Sequence, residues 1–89
     1  MANTRSALKR IRQNEKRRLR NKAVKSRMRT AIRKFLQIIN EGDLERAQAE
    51  LNRVYSEIDR AARKGVIHPN QAARRKQRLA RRLQAARAS

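Results

Sequence analysis

Apolar residues recur every three or four positions in the second half of the first forty residues. They are Val24, Met28, Ala31, Ile32, Phe35, Ile38 and Ile39. At 100° per residue these side chains fall on one stripe of a helix, which is the pattern of a helix packed against a partner. The sequence predicts a first helix over about residues 6–40, of which only the second half has an apolar side to bury.

Two later segments repeat this period. The stripe of the second segment comprises Leu44, Ala47, Leu51, Val54, Tyr55, Ile58, Ala61 and Ala62. The stripe of the third is narrower and built from smaller residues, Ala72, Ala73, Leu79, Ala80, Leu83 and Ala86. The alternating period of strands is absent. We therefore expect helices over residues 43–64 and 69–86.

The two glycines and the single proline stand where these helices should end or begin. Gly42 suits the position after the last turn of the first helix, and Asp43 offers a side-chain oxygen to cap the second. Gly65 follows the second helix, and Pro69 fits the first turn of the third. Because short connections favour antiparallel neighbours, the sequence predicts an all-α fold, a three-helix antiparallel bundle in a single domain over residues 1–89.

The first half of the first helix does not follow the apolar pattern. Between Lys9 and Lys22, eight of fourteen residues are basic, and they point in every direction around the helix axis. Only Leu8, Ile11 and Leu19 could pack against a partner. We therefore expect a long, basic first helix whose first half projects beyond the bundle.

The charge of the chain is large and divided into three blocks. The formal net charge is +19, distributed as +13 in residues 1–40, −4 in residues 41–59 and +10 in residues 60–89. Leu, Ile, Val and Phe make up only 17 of the 89 residues, so the core is thin for a chain that repels itself. This balance indicates a polyanionic partner, with the acidic middle segment acting as a brace between two basic ones.

The composition also excludes several classes of protein. There is no cysteine, the single histidine has no cluster of acids beside it, and no nucleophile–base pair or phosphate-cradling glycine loop can be assembled. We expect no enzyme activity, no metal, no cofactor and no small-molecule substrate. No stretch approaches the roughly 18 apolar residues of a membrane-spanning helix, and the basic N-terminus lacks the apolar run of a signal peptide. A cytoplasmic protein that does not bind membranes is the expectation.

Two sets of basic residues share one side of a helix. On the third helix, an arc of about 120° opposite the apolar stripe holds what we call the arginine face. Its members are Arg74, Arg75, Arg78, Arg81 and Arg82. On the first helix an arc of about 80° holds the α1 basic face, with Ser26 and Thr30 beside it. Its members are Lys22, Lys25, Arg29 and Arg33. Rows of like charge on one side of a helix favour binding to a row of phosphates.

The kinds of residue present favour folded RNA over a single strand. Arginine outnumbers lysine 19 to 7, and guanidinium groups bind phosphate through two parallel hydrogen bonds. Phe35 and Tyr55, the only aromatic residues, lie on apolar stripes and are expected in the core, which leaves no aromatic platform for stacking bases. His68 precedes Pro69 and is expected to cap the third helix or to bond a nearby carbonyl or phosphate, with no catalytic role.

Several segments are similar to a known family. They are Met1–Asn3, Ser6–Arg10, Arg20–Lys34 (RNKAVKSRMRTAIRK) and Asp59–Leu79 (DRAARKGVIHPNQAARRKQRL). In this order and at this length they resemble the bacterial small-subunit ribosomal protein S20 family, and KGVIHPNQAARRK is the most specific part. One departure is Pro69, where the family usually carries a basic residue; a proline is compatible with the same fold.

The resemblance implies a three-helix protein that binds 16S ribosomal RNA directly and early in small-subunit assembly, as a monomer within the ribosome. Matching positions imply RNA contacts at Lys22, Lys25, Ser26, Arg29, Thr30, Arg33, Lys64, His68, Asn70, Arg74, Arg75, Lys76 and Arg78. The basic first half of the first helix and the end of the arginine face extend the predicted RNA-binding set. These further residues are Lys9, Arg10, Arg12, Arg17, Arg18, Arg20, Asn21 and Arg82.

Two other classes of protein share parts of this pattern. A histone-like protein that coats duplex DNA fits the charge equally well, but such proteins commonly dimerise or insert apolar wedges into the minor groove, and no exposed wedge is evident. A membrane-active amphipathic helix fits the third helix but not the all-round charge of residues 9–22. The histone-like protein is the main alternative.

Overall fold

The computed structural model describes the backbone of residues 2–88 and the side chains of residues 4–88. It contains three helices, α1 (Ala2–Asn40), α2 (Leu44–Arg63) and α3 (Pro69–Ala88), and no strand within this range. The predicted all-α fold is confirmed. Four predicted bounds differ from the observed ones: α1 begins four residues earlier, α3 continues two residues further, and α2 is one residue shorter at each end. The added residues contain no Gly or Pro that would stop a helix, and the Ala and Arg residues among them are good helix formers.

The helix ends follow the predicted residues. Gly42 and Gly65 adopt positive φ angles of 81° and 74°, a region that residues with a Cβ rarely enter. The N–H of Gly42 donates to the carbonyl of Ile39 at 3.0 Å and closes α1. At the start of α2 the Asp43 carboxylate accepts from the backbone N–H of Arg46 at 3.2 Å. Asp43 is therefore the N-cap of α2, as predicted, and lies just outside the helix.

His68 caps α3. Its Nδ1 accepts from the backbone N–H of Asn70 at 3.1 Å, and its carbonyl accepts from the N–H of Ala72 at the same distance. Pro69 is the first residue of the helix, where it has no N–H to satisfy. The predicted capping role of His68 is confirmed.

The core lies along α2, which packs against both other helices, whereas α1 and α3 contact each other much less. Phe35 and Met28 of α1 and Val54 and Ile58 of α2 are its largest fully buried side chains. The remaining buried residues are Val24, Ile38, Ala47, Leu51, Ala61, Ile67, Ala72, Leu79 and Leu83. Most of the core thus comes from the predicted stripes.

Two positions differ from the predicted core, and Tyr55 packs against its edge. Ala73 is exposed, and its assignment to the third stripe is wrong, because it points about 100° away from its buried neighbour Ala72. Tyr55 is half-buried, since its hydroxyl reaches the edge of α3 and donates to a backbone carbonyl. Ile67 is buried although it lies in the α2–α3 connection, outside every helical stripe.

Side-chain contacts join α2 to a basic helix on each side. Towards α1, the Lys34 ammonium lies 3.8 Å from the Glu50 carboxylate. Towards α3, Lys76 forms an ion pair with Asp59. A further contact near the far end of α3 is a 2.8 Å hydrogen bond from the Arg87 guanidinium to the side-chain oxygen of Gln48. The acidic segment is therefore the middle layer between two basic helices, as its charge predicted.

The first half of α1 projects beyond the bundle. At 1.5 Å per residue the 39 residues of α1 span about 58 Å, nearly twice the length of either 20-residue partner. Leu8, Ile11 and Leu19 are 53%, 56% and 63% exposed. The predicted projection is confirmed, and it gives the molecule extents of 67 × 22 × 14 Å. We call residues 4–20 the projecting segment.

Candidate nucleic-acid interface

The α1 basic face points away from α2. Lys34, which marks the side of α1 in contact with α2, lies about 140° around the helix from the centre of this face. All four members of the face are exposed. Ser26 and Thr30 are exposed too, but they line a groove between α1 and α2 together with Glu50 and Glu57. No acid of α2 therefore neutralises these four charges.

The arginine face of α3 is likewise turned away from α2. Lys76 and Arg87, which contact α2, lie on the opposite side of α3, about 170° from the centre of the face. Four of its members are exposed: Arg74, Arg78, Arg81 and Arg82. Arg75 is half-buried, and its Nε forms no hydrogen bond to any described residue. Arg75 thus lies at the boundary between the arginine face and the core.

By the angles around each helix, the two faces flank the space between α1 and α3, which contact each other little; we call this space the α1–α3 groove. Both helices run antiparallel to α2, so they are parallel to each other. On α1 and on α3, α2 packs against one edge of the apolar stripe. The opposite edge of the stripe on α1 is therefore the one nearer α3, and the opposite edge on α3 is the one nearer α1. The outward direction of each helix is opposite the centre of its apolar stripe. The α1 basic face is centred about 60° from that direction towards α3, and the arginine face is centred about 60° from it towards α1. Nine basic residues are thereby arranged along two parallel rows.

A second groove links the α1 basic face to the start of α3. Lys22 and Lys25 line it together with Gly65 and Val66 of the α2–α3 connection. Arg18 and Asn21 complete it on the α1 side, where Asn21 is half-buried. The predicted residues of the connection and the first turn of α3 follow directly and are exposed: Lys64, His68 and Asn70. The structure thus brings together the two parts of the sequence with the strongest family resemblance.

The predicted residues of the projecting segment form a separate group. All are exposed: Lys9, Arg10, Arg12, Arg17, Arg18 and Arg20. Of these residues, Arg18 also lines the groove at the α2–α3 connection. The candidate interface is therefore an extended surface along the long dimension of the molecule, in contrast to a compact pocket.

Lys76 is a predicted site residue that the structure turns towards α2. Its ammonium contacts Asp59 and lies 5.6 Å from the centre of the Tyr55 ring. The Tyr55 hydroxyl in turn donates to the Lys76 backbone carbonyl at 3.4 Å. These contacts attach α3 to α2, so Lys76 does not belong to the arginine face. Its assignment as an RNA contact stays a prediction.

A row of arginines on α2 was missed by the sequence reasoning. Arg46, Arg53 and Arg60 are exposed and recur every seven residues, so they follow one side of α2. Arg53 also lines the groove between α1 and α2. The seven-residue spacing is visible in the sequence. The division of the charge into blocks concealed it, because Arg60 falls in the third block and the six acids of residues 41–59 outnumber Arg46 and Arg53.

Other kinds of site find no support in the part of the chain that the structure describes. Residues 4–88 contain no group of three or more His, Asp or Glu side chains that could hold a metal ion. None of the three helices, over the residues described, combines the length and the apolar character needed to cross a membrane.

Fold and surface together define a class, the small basic helical proteins whose outer helices present rows of cations to a polyanion. Comparison with known proteins then identifies the family. The model of the family described as Ribosomal protein S20 matches residues 2–84, and the chain belongs to this family. This confirms the resemblance noted in the sequence.

The similar proteins carry one shared name. A small ribosomal subunit protein bS20 from Salinispora tropica is 55% identical over 83 residues, covering 93% of this chain and 94% of the relative. Proteins of the same name from Mycolicibacterium smegmatis and Thermobifida fusca are each 55% identical over 80 and 83 residues. These alignments cover 90% and 93% of this chain, and 93% and 90% of the relatives.

Proposed function

We propose that this protein is a structural constituent of the small ribosomal subunit that binds 16S ribosomal RNA directly and stabilises the RNA fold during assembly. It acts as a monomer within the ribosome, in the bacterial cytoplasm, and residues 1–89 form one RNA-binding domain. Membership of the ribosomal protein S20 family supports the ribosomal role. Such a role is structural and includes no catalytic step.

The observation that carries the proposal is the separation of charge between the three helices. Two rows of cations border the α1–α3 groove, while Glu50 and Asp59 of α2 each lie beside a cation of a neighbouring helix. Cations in parallel rows repel each other in water, and phosphates placed between them remove that repulsion. The groove therefore suits the backbone of a folded RNA, with the projecting segment reaching a second part of the same molecule.

Individual side chains have distinct parts in this proposal. Exposed guanidinium groups of the arginine face bind phosphate oxygens through two parallel hydrogen bonds. Ser26 and Thr30 donate shorter hydrogen bonds beside the α1 basic face and allow the backbone to approach closely. His68, with Nδ1 engaged by the cap of α3, donates to phosphate from Nε2.

Chemical footprinting of small-subunit RNA with and without the protein tests the proposal. We expect protected riboses in more than one RNA helix, and binding that weakens by about 10³- to 10⁵-fold between 50 and 200 mM salt if six to ten phosphates are contacted. Competitor duplex DNA of equal length should not displace the protein at equal concentration. Equal competition by DNA would favour the histone-like alternative, and an absence of protected riboses would contradict the proposal.

A further inference from the structure

The projecting segment has one side that does not suit phosphate. Leu8, Ile11 and Leu19 lie within an arc of about 80° on the helix, and each is more than half exposed. Apolar side chains gain nothing from contact with a charged phosphate. This stripe extends over about 16 Å of a helix that is otherwise densely basic.

Glu15 lies at the centre of the same stripe. It is the only acidic residue among the first forty, and it is exposed. No ion pair holds its carboxylate within the described residues, although Arg12 and Arg18 are three residues away on either side. An ionised carboxylate only accepts hydrogen bonds and repels phosphate. Glu15 and the three apolar side chains thus lie on the same side of the helix, and none of them favours contact with the phosphate backbone.

Basic residues flank this side along both edges. Arg12 and Lys16 follow one edge, and Arg18 follows the other. A neutral or acidic strip between two basic edges is complementary to a nucleic-acid groove. The two walls of such a groove are lined with phosphates, whereas its floor carries sugars and base edges. In RNA the groove open to a helix is the wide, shallow minor groove, which displays ribose 2′-hydroxyls and base edges. Guanine adds an exocyclic amino group there, the one base-edge donor in the minor groove.

We propose that this side of the projecting segment lies on the minor groove of RNA, with Glu15 accepting hydrogen bonds from a guanine amino group or a ribose 2′-hydroxyl. The apolar side chains pack on the sugars, and the flanking cations bind the phosphates of the two walls. This proposal rests on the proposed RNA-binding function and makes Glu15 a determinant of specificity. The rest of the interface reads only the arrangement of phosphates.

The sign of one substitution separates this proposal from binding through charge alone. Glu15→Gln keeps the size of the side chain and removes its charge. If the segment binds phosphates only, the loss of an acid strengthens binding to every RNA. If Glu15 accepts from guanine or ribose, the substitution weakens binding to small-subunit RNA by about tenfold, and leaves binding to an unrelated RNA duplex unchanged or stronger. Glu41→Gln is the matched control, since Glu41 is also exposed and lies in the α1–α2 connection.

The experiment measures the affinity of the full-length protein and both variants for small-subunit RNA and for an unrelated RNA duplex at equal salt. Circular dichroism checks that helix content is unchanged, as expected for a Glu→Gln change in a helix. Weaker binding by Glu15→Gln to small-subunit RNA alone supports the proposal. Equal or stronger binding to both RNAs, or an equal loss on both, overturns it.

A second measurement identifies the donor. Because the chain has no cysteine, Asn14→Cys carries a unique thiol to which a hydroxyl-radical probe can be attached to locate the nearby riboses. Replacing guanines at that place with inosine removes the amino group. If the inosine replacement weakens RNA binding by the wild type but not by Glu15→Gln, the guanine amino group is the donor to Glu15. Removal of the local 2′-hydroxyls tests the ribose in the same way. If both modified RNAs, with inosine or without the 2′-hydroxyls, affect the wild type and Glu15→Gln equally, the proposal is contradicted. If the wild type does not bind small-subunit RNA at all, the proposed function itself is contradicted.

Discussion

The arginine face can be tested against a row of equal charge on another helix of the same molecule. The test variant replaces three exposed arginines of α3 with Gln: Arg74, Arg78 and Arg82. The control variant replaces three exposed arginines of α2 with Gln: Arg46, Arg53 and Arg60. Both variants lower the formal net charge from +19 to +16. Arg75 stays unchanged, because it is half-buried and its replacement could disturb packing.

The expected magnitude follows from counterion release. Each phosphate that a cation neutralises contributes about 0.9 to the slope of log affinity against log salt. Loss of three contacts lowers the slope by about 2.7, so between 50 and 200 mM salt the wild type should lose about 40-fold more affinity than the α3 variant. The α2 variant should keep the slope of the wild type, because its arginines point away from the α1–α3 groove.

Fluorescence anisotropy with labelled small-subunit RNA at several salt concentrations measures these slopes, and circular dichroism confirms that both variants remain helical. The slope is a better measure than affinity at one salt concentration, since loss of charge anywhere weakens long-range attraction at low salt. Equal slopes in the two variants would mean that binding depends on net charge alone. That result would refute the assignment of the RNA contact to the arginine face.

Two further predictions concern the free protein. In hydrogen exchange without RNA, residues 6–20 should exchange rapidly while residues 24–63 are protected, because the projecting segment buries no apolar stripe; strong protection of Arg12–Arg20 would contradict this. Phe35→Ala and Leu51→Ala should each lower the free energy of unfolding by about 2–5 kcal/mol, a large part of the stability of a small domain. Thermal melting followed by circular dichroism measures this, with the exposed Gln37→Ala as control, and unchanged melting of either core variant would show that the residue is not a core contact.

Much of the fold could be predicted because the signals are local. A helix end at Gly42 needs only a residue that tolerates positive φ, and the caps at Asp43 and His68 need only a side chain that reaches a nearby N–H. The apolar period of 3.6 residues identified which side of each helix is buried. The exposed projecting segment followed from the absence of that period.

The remainder depends on how the helices are rotated against one another. The contacts among Tyr55, Asp59 and Lys76 join residues on two helices, and no spacing within either helix indicates them. For the same reason charge alone could not distinguish Lys76, which faces α2, from Arg75 beside it. Ile67 was missed because a five-residue connection is too short to show a period.

The placement of the acids on α2 explains how a chain of such charge forms a bundle and still binds a polyanion. Glu50 and Asp59 lie at opposite edges of α2, each beside a cation of a neighbouring helix. Exposed ion pairs of this kind contribute about 0–1 kcal/mol each, so the apolar stripes supply most of the stability. The ion pairs instead reduce repulsion where α2 meets α1 and α3. No acid lies in either row along the α1–α3 groove, so the repulsion between those rows remains in the free protein, and bound phosphate relieves it.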